Sequence, residues 1–342
     1  MWDVVGQERA TAIVAASLSS GRPPHAYLLV GPSNVGKYRL ALQMAQALNC
    51  EANTSSRGPC GACGPCRRIA AGLHADVQTI TVESADGAQH SEIRIAQIRE
   101  VEHTIVLSPY EGHTRVVIID GAEAMNGESQ NAFLKTLEEP PPQVVFILVT
   151  AREEKLLPTI RSRCQRIEFH SLPIALVERA ATDRLGLAPE QARLLARLSR
   201  GRIGWVLAAA QEADSSSRLA IRAEALEMAQ SLSSLSLGER FAVAEQLAAR
   251  FGRDRPGVLE TLEIWREWWR DVLIVQAGAG EGITNVDMAA LLAEDAHRYD
   301  PEDVVTFLRT IGATAGYLEA NVNARLALET LMLTHPEKHP PP

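Results

Sequence analysis

The sequence predicts an α/β nucleotide-binding fold, a parallel sheet with helices on both faces, followed by a region that is all helix. Three observations carry this. Short apolar runs alternate with stretches of helical periodicity through the first half of the chain. A glycine-rich loop, GPSNVGK, joins one such run to a helix at residues 31–37. Beyond Leu172 the strand-like runs stop.

In chain order, residues 7–20 alternate apolar and small residues at helical spacing, and Gly21, Pro23 and Pro24 end that helix. Residues 25–30 (HAYLLV) form an apolar run bounded by turn residues, which reads as a buried strand. The loop follows, then a helix over 39–48. Ile93, Ile95, Ile98 and Val101 predict a helix from about residue 95. Residues 115–120 (RVVIID) read as a second buried strand ending in an acid. A helix over 129–139 is stopped by three prolines at 140–142. Residues 144–150 (VVFILVT) give a third strand and 166–169 a fourth. Continuous rather than alternating apolar strands are those buried on both faces. Residues 174–210 hold two or three short helices, and 211–217 (QEADSSS) read as a linker. The rest is helical, with one stripe through Leu259, Leu262, Trp265, Trp269, Val272 and Leu273 and another over 326–332. Trp265, Trp268 and Trp269 read as core and subunit-packing residues rather than a base-stacking platform. A proline-rich tail from His335 is expected to fray. No internal repeat is visible.

At 342 residues the chain exceeds one ordinary core, so two or three domains are expected. Apolar residues at 46% and charged residues at 22% match a soluble globular protein. A formal charge of −8 argues against a broad nucleic-acid-gripping surface and leaves only a local basic patch. The N-terminus, MWDVVGQE, has neither a basic start nor an apolar stretch, and no segment approaches the roughly 18 apolar residues of a membrane span. A cytoplasmic location is expected, where thiols stay reduced and clustered cysteines point to metal before disulfides.

Gly31-x-x-x-x-Gly36-Lys37 follows a strand and opens a helix, the context of a phosphate loop rather than a chance glycine turn. Glycines let backbone N–H groups turn inward, the lysine reaches the terminal phosphates, and the helix N-terminus favours negative charge. Gly31, Asn34, Val35, Gly36 and Lys37 are therefore candidate nucleotide contacts, with Asp120 as the magnesium-associated carboxylate at the end of the second strand. Two groups are missing. The position after Lys37 needs a Ser or Thr hydroxyl for magnesium and holds Tyr38. The position after Asp120 needs a water-activating glutamate and holds Gly121; Glu123, two positions on, is not assigned that role. Binding of ATP or ADP, with Mg²⁺ weakly held or absent, remains open, and hydrolysis is not expected.

Cys60-Gly-Ala-Cys63-Gly-Pro-Cys66 sets three thiols at two-residue gaps, and Cys50 returns across a nine-residue loop. Four thiolates suit a closed tetrahedral Zn²⁺ site, which is structural because no position is left for water. The alternatives are four unligated thiols and a nucleic-acid-binding knuckle, for which only Arg57, Arg67 and Arg68 speak. Cys164 is expected to pack as a small hydrophobe.

HAYLLVGPSNVGK, the CxxCxxC insert, VVIIDGAEAM, NAFLKTLEEPPP, FILVT and TIRSRC together resemble the clamp-loader branch of the AAA+ ATPases, and within it the delta-prime family of bacterial DNA polymerase III. NVNARLALETLML at 321–333 extends the resemblance to the C-terminus. LKTLEEPP and SRC are its most specific parts. The resemblance implies an AAA+ domain with a zinc module (1–171, module 50–66), a small helical lid (172–213), a helical collar (218–335) and a disordered tail (336–342). It implies a subunit of an open ring of five, built with gamma/tau motor subunits and a delta subunit, that loads the sliding clamp on primed DNA, with no membrane partner. It implies that Arg163, in Ser162-Arg163-Cys164, is an arginine finger for the neighbouring subunit's ATP, and that Thr150 is the polar sensor at a strand end. The lid position where motor subunits carry a γ-phosphate-sensing arginine falls on Gly204, with Arg202 nearby. Tyr38, Gly121 and Gly204 favour a non-hydrolysing stator over an ATP-hydrolysing gamma/tau-like motor. A zinc-knuckle nucleic-acid binder is the third reading.

Overall fold

A computed structural model describes residues 2–52, 58–82, 92–211, 218–320 and 322–338. The expected linker lies outside the described residues apart from Gln211, as do Arg57 and the last four residues of the tail. The chain divides into two compact units, residues 1–180 with 201–205, and 181–200 with 206–342.

The first unit is built from α1 (Glu8–Ser19), β1 (Ala26–Val30), α2 (Lys37–Leu48), α3 (Gly64–Ala70), β2 (Val77–Ile80), α4 (Ile95–Ile105), β3 (Arg115–Asp120), α5 (Gly127–Glu138), β4 (Val144–Thr150), α6 (Pro158–Arg161) and β5 (Gln165–Glu168). The strands form one sheet in the order β2-β3-β4-β1-β5, and every pair is parallel. Side chains alternate across the pleat. Tyr27 and Leu29 of β1 join Val116, Ile118, Val145 and Ile147 in a cluster with residues of α1 and α2 such as Val14 and Met44. Leu28 joins Val117, Ile119, Phe146 and Leu148 in the opposite cluster, with Ile98 and Val101 of α4 and Phe133 and Leu137 of α5. Both faces of the sheet are thus dry, which explains why β1, β3 and β4 are apolar without interruption.

The sequence reading anticipated four strands, and the described residues form five. β2 is an edge strand of composition VQTI in which only Ile80 is fully buried, so it carries no apolar run. Its approach is fixed by polar groups. The buried Asp76 carboxylate accepts N–H bonds from Tyr110, Glu111 and Gly112 at 2.7–2.8 Å and pairs with Arg115 at 3.1 Å. Asn49, at the end of α2, accepts from the N–H groups of His113 and Thr114 and donates to the Thr114 carbonyl. α5 begins two residues earlier than expected because Asn126 caps it, its side chain accepting from the Ser129 N–H at 2.9 Å.

α7 (Ile174–Leu185) leaves the first unit. The second contains α8 (Pro189–Ser199), most of α9 (Ile203–Gln211), α10 (Arg218–Leu232), α11 (Leu237–Phe251), the long α12 (Arg255–Gln276), α13 (Ala289–Arg298), α14 (Pro301–Glu319) and α15 (Ala324–Leu333). Trp265, Trp268 and Trp269 of α12 are at most 2% exposed. They are core residues of this unit, which removes them as subunit-packing surface. Trp269 meets Tyr299, Phe307 and His335 edge-on, with ring centroids 4.8, 5.5 and 5.4 Å away. His335 is itself 4% exposed, so the tail is still packed at the residue where fraying was expected to begin.

Candidate functional site

The carboxyl ends of β1, β3 and β4 converge. Val30 is in register with Thr150, and Asp120 with Val149. β1 lies between β4 and β5, where the chain order along the sheet reverses, and open α/β sheets bind ligands at such a point. The loop leaving β1 is tightly seated there. Gly31, at φ +147°, has its N–H on the Thr150 carbonyl, and a Cβ on it would meet the Phe169 carbonyl oxygen at 2.2 Å. Asn34 also has positive φ, Val35 is buried, and Gly36, at φ +101°, precedes the first turn of α2. The structure therefore brings Gly31, Asn34, Val35, Gly36, Lys37, Asp120 and Thr150 to the carboxyl end of the sheet.

The Lys37 side chain turns inward. It is 5% exposed, and Nζ donates to the carbonyls of Gly31 and Pro32, each at 2.5 Å. Burial pushes its pKa down to about 8, while the negative charges of Glu123 and Asp120 oppose that fall. Burial also raises Asp120, against the pull of Lys37. The Thr150 hydroxyl, buried, accepts the Arg152 N–H at 3.0 Å and so closes the turn after β4. Two further groups brace the loop from outside it. The Gln7 amide donates to the carbonyls of His170 and Val35, and the Gly204 N–H donates to the Asn34 carbonyl at 2.8 Å.

The two departures seen in the sequence have structural counterparts. The Tyr38 side chain lines a cleft of about 240 Å³ with Leu42 of α2, Ile69 of α3, and His74, Val77 and Thr79. Gly121 adopts φ +76°, ψ 43°, a left-handed conformation that any other residue would hold only under strain. Glu123, unassigned from sequence, has one carboxylate oxygen on the Ala151 N–H at 3.1 Å and the other buried with no hydrogen-bond partner among the described residues. It stands two positions beyond the place of a water-activating glutamate, and the structure sets its charge beside Lys37.

Cys50, Cys60, Cys63 and Cys66 also come together, their four sulfurs all within 4.8 Å of one another. Tetrahedral thiolates at about 2.3 Å from Zn²⁺ are separated by roughly 3.8 Å, and Cys60 and Cys66 are 3.9 Å apart. The N–H groups of Cys63 and Ala62 point at the Cys60 sulfur and pull its thiol down to about 6. Burial pushes Cys66 up, so its thiolate needs a compensating cation. The donor set fits zinc. Cys164 packs beside the α5–α6 core with its thiol raised to about 12 by burial, as expected of a small hydrophobe.

Arg163 has no hydrogen bond to the loop. It follows α6, with its side chain 35% exposed, and donates to the Thr159 carbonyl at 3.1 Å and to Glu138 at 2.8 Å.

Comparison with known proteins decides the family. A model described as "DNA polymerase III, delta subunit" matches residues 6–173, and one described as "DNA polymerase III, delta subunit, C terminal" matches residues 222–335. The chain belongs to this DNA polymerase III delta-subunit family. Among similar relatives, DNA polymerase III subunit delta' of Bacillus subtilis is 28% identical over 331 residues, covering 96% of this chain and 95% of its own. Subunit delta' of Pseudomonas aeruginosa is 41% identical over 140 residues, 41% of each chain. Subunit tau of Escherichia coli is 28% identical over 355 residues, 99% of this chain and 54% of its own. The chain thus spans about half the length of that tau subunit. The five-stranded parallel sheet and the delta-family match agree with the AAA+ class expected from the sequence. Among the described residues of this delta-family chain, no helix is long and apolar enough to cross a membrane.

Proposed function

We propose that this chain is a cytoplasmic clamp-loader subunit of the DNA polymerase III holoenzyme, a stator that completes a neighbour's ATP site and does not itself hydrolyse ATP. In this reading residues 1–171 form the AAA+ domain, 172–213 the lid and 218–335 the collar that holds it in a ring with gamma/tau motor subunits and a delta subunit. The ring places the sliding clamp on primed DNA. Cys50, Cys60, Cys63 and Cys66 hold a structural Zn²⁺. The loop of Gly31, Asn34, Val35, Gly36 and Lys37, with Asp120 and Thr150, is at most a resting place for ATP or ADP.

The contrast between two cations carries the reading. Lys37 is buried and bound to its own loop, whereas a third of the Arg163 side chain is open to solvent. A guanidinium delivered in trans neutralises charge on a transferring phosphoryl group and is worth about 10³-fold or more in turnover. Within the chain's own pocket, Tyr38 offers no hydroxyl at the magnesium position and Gly121 no base. The test is DNA-stimulated ATP turnover by the full ring, reconstituted with motor subunits, clamp and primed DNA. Arg163→Ala is expected to leave assembly intact and to lower turnover sharply. A wild-type rate from that ring, or magnesium-dependent hydrolysis by the isolated chain that Lys37→Ala abolishes, sinks the proposal.

A further inference from the structure

The contact between Glu138 and Arg163 has no role in the fold described above. Both side chains are substantially exposed, at 54% and 35%, and an exposed pair of this kind adds little to stability. What it does is hold a long side chain in one place. Arg163 Nη2 donates to Glu138 Oε1 and Nη1 to the Thr159 carbonyl, which uses two of the five guanidinium donors and leaves the others for a ligand.

The elements that carry the pair are themselves locked. Gln130 of α5, 5% exposed, donates to the carbonyls of Met125 and Lys155 and accepts the Leu157 N–H at 2.7 Å, tying α5 to the segment that opens α6. The turn from α6 to Arg163 is fixed by the N–H of Ser162 on the Pro158 carbonyl and that of Arg163 on the Ile160 carbonyl. Cys164 anchors the next position in the core. Glu138 is thus held at a set position from the backbone of Arg163, although 25 residues separate them in sequence.

We propose that Glu138 is the positioning residue for Arg163, fixing the guanidinium in the pose in which it meets an anionic phosphate presented by a neighbouring subunit. This rests on the trans role given to Arg163 above. Ordering an arginine in advance spares the complex that cost at the moment of reaction. Freeing it lowers the turnover number by about 3- to 10-fold. Glu138→Gln keeps an acceptor oxygen at the same reach and restores most of the rate.

The experiment uses the reconstituted full ring with wild type, Arg163→Ala, Glu138→Ala and Glu138→Gln, following turnover number and KM for ATP separately, with thermal melts of each isolated chain. The expected result is a 3- to 10-fold loss of turnover number in Glu138→Ala at unchanged KM and melting temperature, with Glu138→Gln within about twofold of wild type. A wild-type rate in Glu138→Ala while Arg163→Ala is impaired overturns the positioning role and leaves the trans role standing. So does a change confined to KM, or a Glu138→Gln loss as large as that of Glu138→Ala. A wild-type rate in Arg163→Ala overturns the trans role itself.

Discussion

Lys37 and Arg163 belong to the same α/β unit and carry the same charge, but their surroundings treat them oppositely. Lys37 is enclosed, its ammonium bound by the Gly31 and Pro32 carbonyls, with Asp120 and Glu123 adding negative charge. Arg163 is held at the surface by one carboxylate and one carbonyl, with donors to spare. The enclosed cation is bound by its own loop, whereas the exposed one, in the reading proposed above, serves a neighbouring subunit. An intact glycine-and-lysine motif therefore says less about activity than where the positive charge finds its partners.

The comparison breaks most readily in the assembled ring. Arg163→Ala is expected to cost on the order of 10³-fold at the neighbour's ATP site, while Lys37→Met costs less than about twofold, since the pocket of Lys37 contributes binding at most. Single-turnover ATP hydrolysis with primed DNA measures both. Equal losses would erase the distinction drawn between the two cations.

The cysteine module separates support of the fold from chemistry. Cys60→Ser with Cys63→Ser is expected to take bound zinc from one per chain to none, read by atomic absorption, and to lower stability by several kcal/mol, because ligation energy is folding energy. Rings that still assemble should keep the Arg163 contribution, because among the described residues the hydrogen bonds of its side chain go to Thr159 and Glu138 and not to the module. If zinc content is unchanged by the double substitution, the four-thiolate site is wrong.

Much of this was legible in advance, for identifiable reasons. β1, β3 and β4 declare themselves because a strand buried on both faces must be apolar throughout. The cysteines declare themselves because tight ligand turns need short spacing. β2 was not legible, since an edge strand with Gln78 and Thr79 at its centre looks like a loop. Gln7, Glu123 and Glu138 act across 163, 28 and 25 residues of sequence on the groups they touch; Gln7 gives no motif signal, and the motifs that contain Glu123 and Glu138 do not say which groups those side chains meet. The position of His335 was masked by its neighbours: prolines suggest a loose tail, but the packing of Trp269 and Phe307 against the imidazole decides otherwise.

The enclosure of Lys37 has a pH signature. Its pKa falls from 10.5 to about 8 on folding. Between those values the unfolded chain binds more protons than the folded one, so stability rises with pH across that window. The penalty below pH 8 is about 3 kcal/mol. Wild type is expected to gain stability relative to Lys37→Met between pH 8 and 10.5, in denaturant melts at matched ionic strength. Parallel pH profiles would mean that Lys37 is solvated and that the contrast with Arg163 is illusory.

The smallest expected effect concerns the glycine at the edge of the loop. Gly204 donates its N–H to the Asn34 carbonyl, and a Cβ on it would lie 2.9 Å from that oxygen and 3.3 Å from the carbonyl carbon, both of them backbone atoms with little freedom to give way. Gly204→Ala must therefore push the start of α9 off the loop or shift the loop itself, at a cost of about 1–2 kcal/mol. Gly312→Ala, in the middle of α14 with nothing within 4 Å of the new methyl, is the control of opposite sign. It should stabilise by up to about 1 kcal/mol, because alanine loses less backbone entropy in a helix. Urea melts of the full chain measure both. If Gly204→Ala stabilises as Gly312→Ala does, the loop is not braced at Asn34, and the glycine at that position reflects only the absence of an arginine.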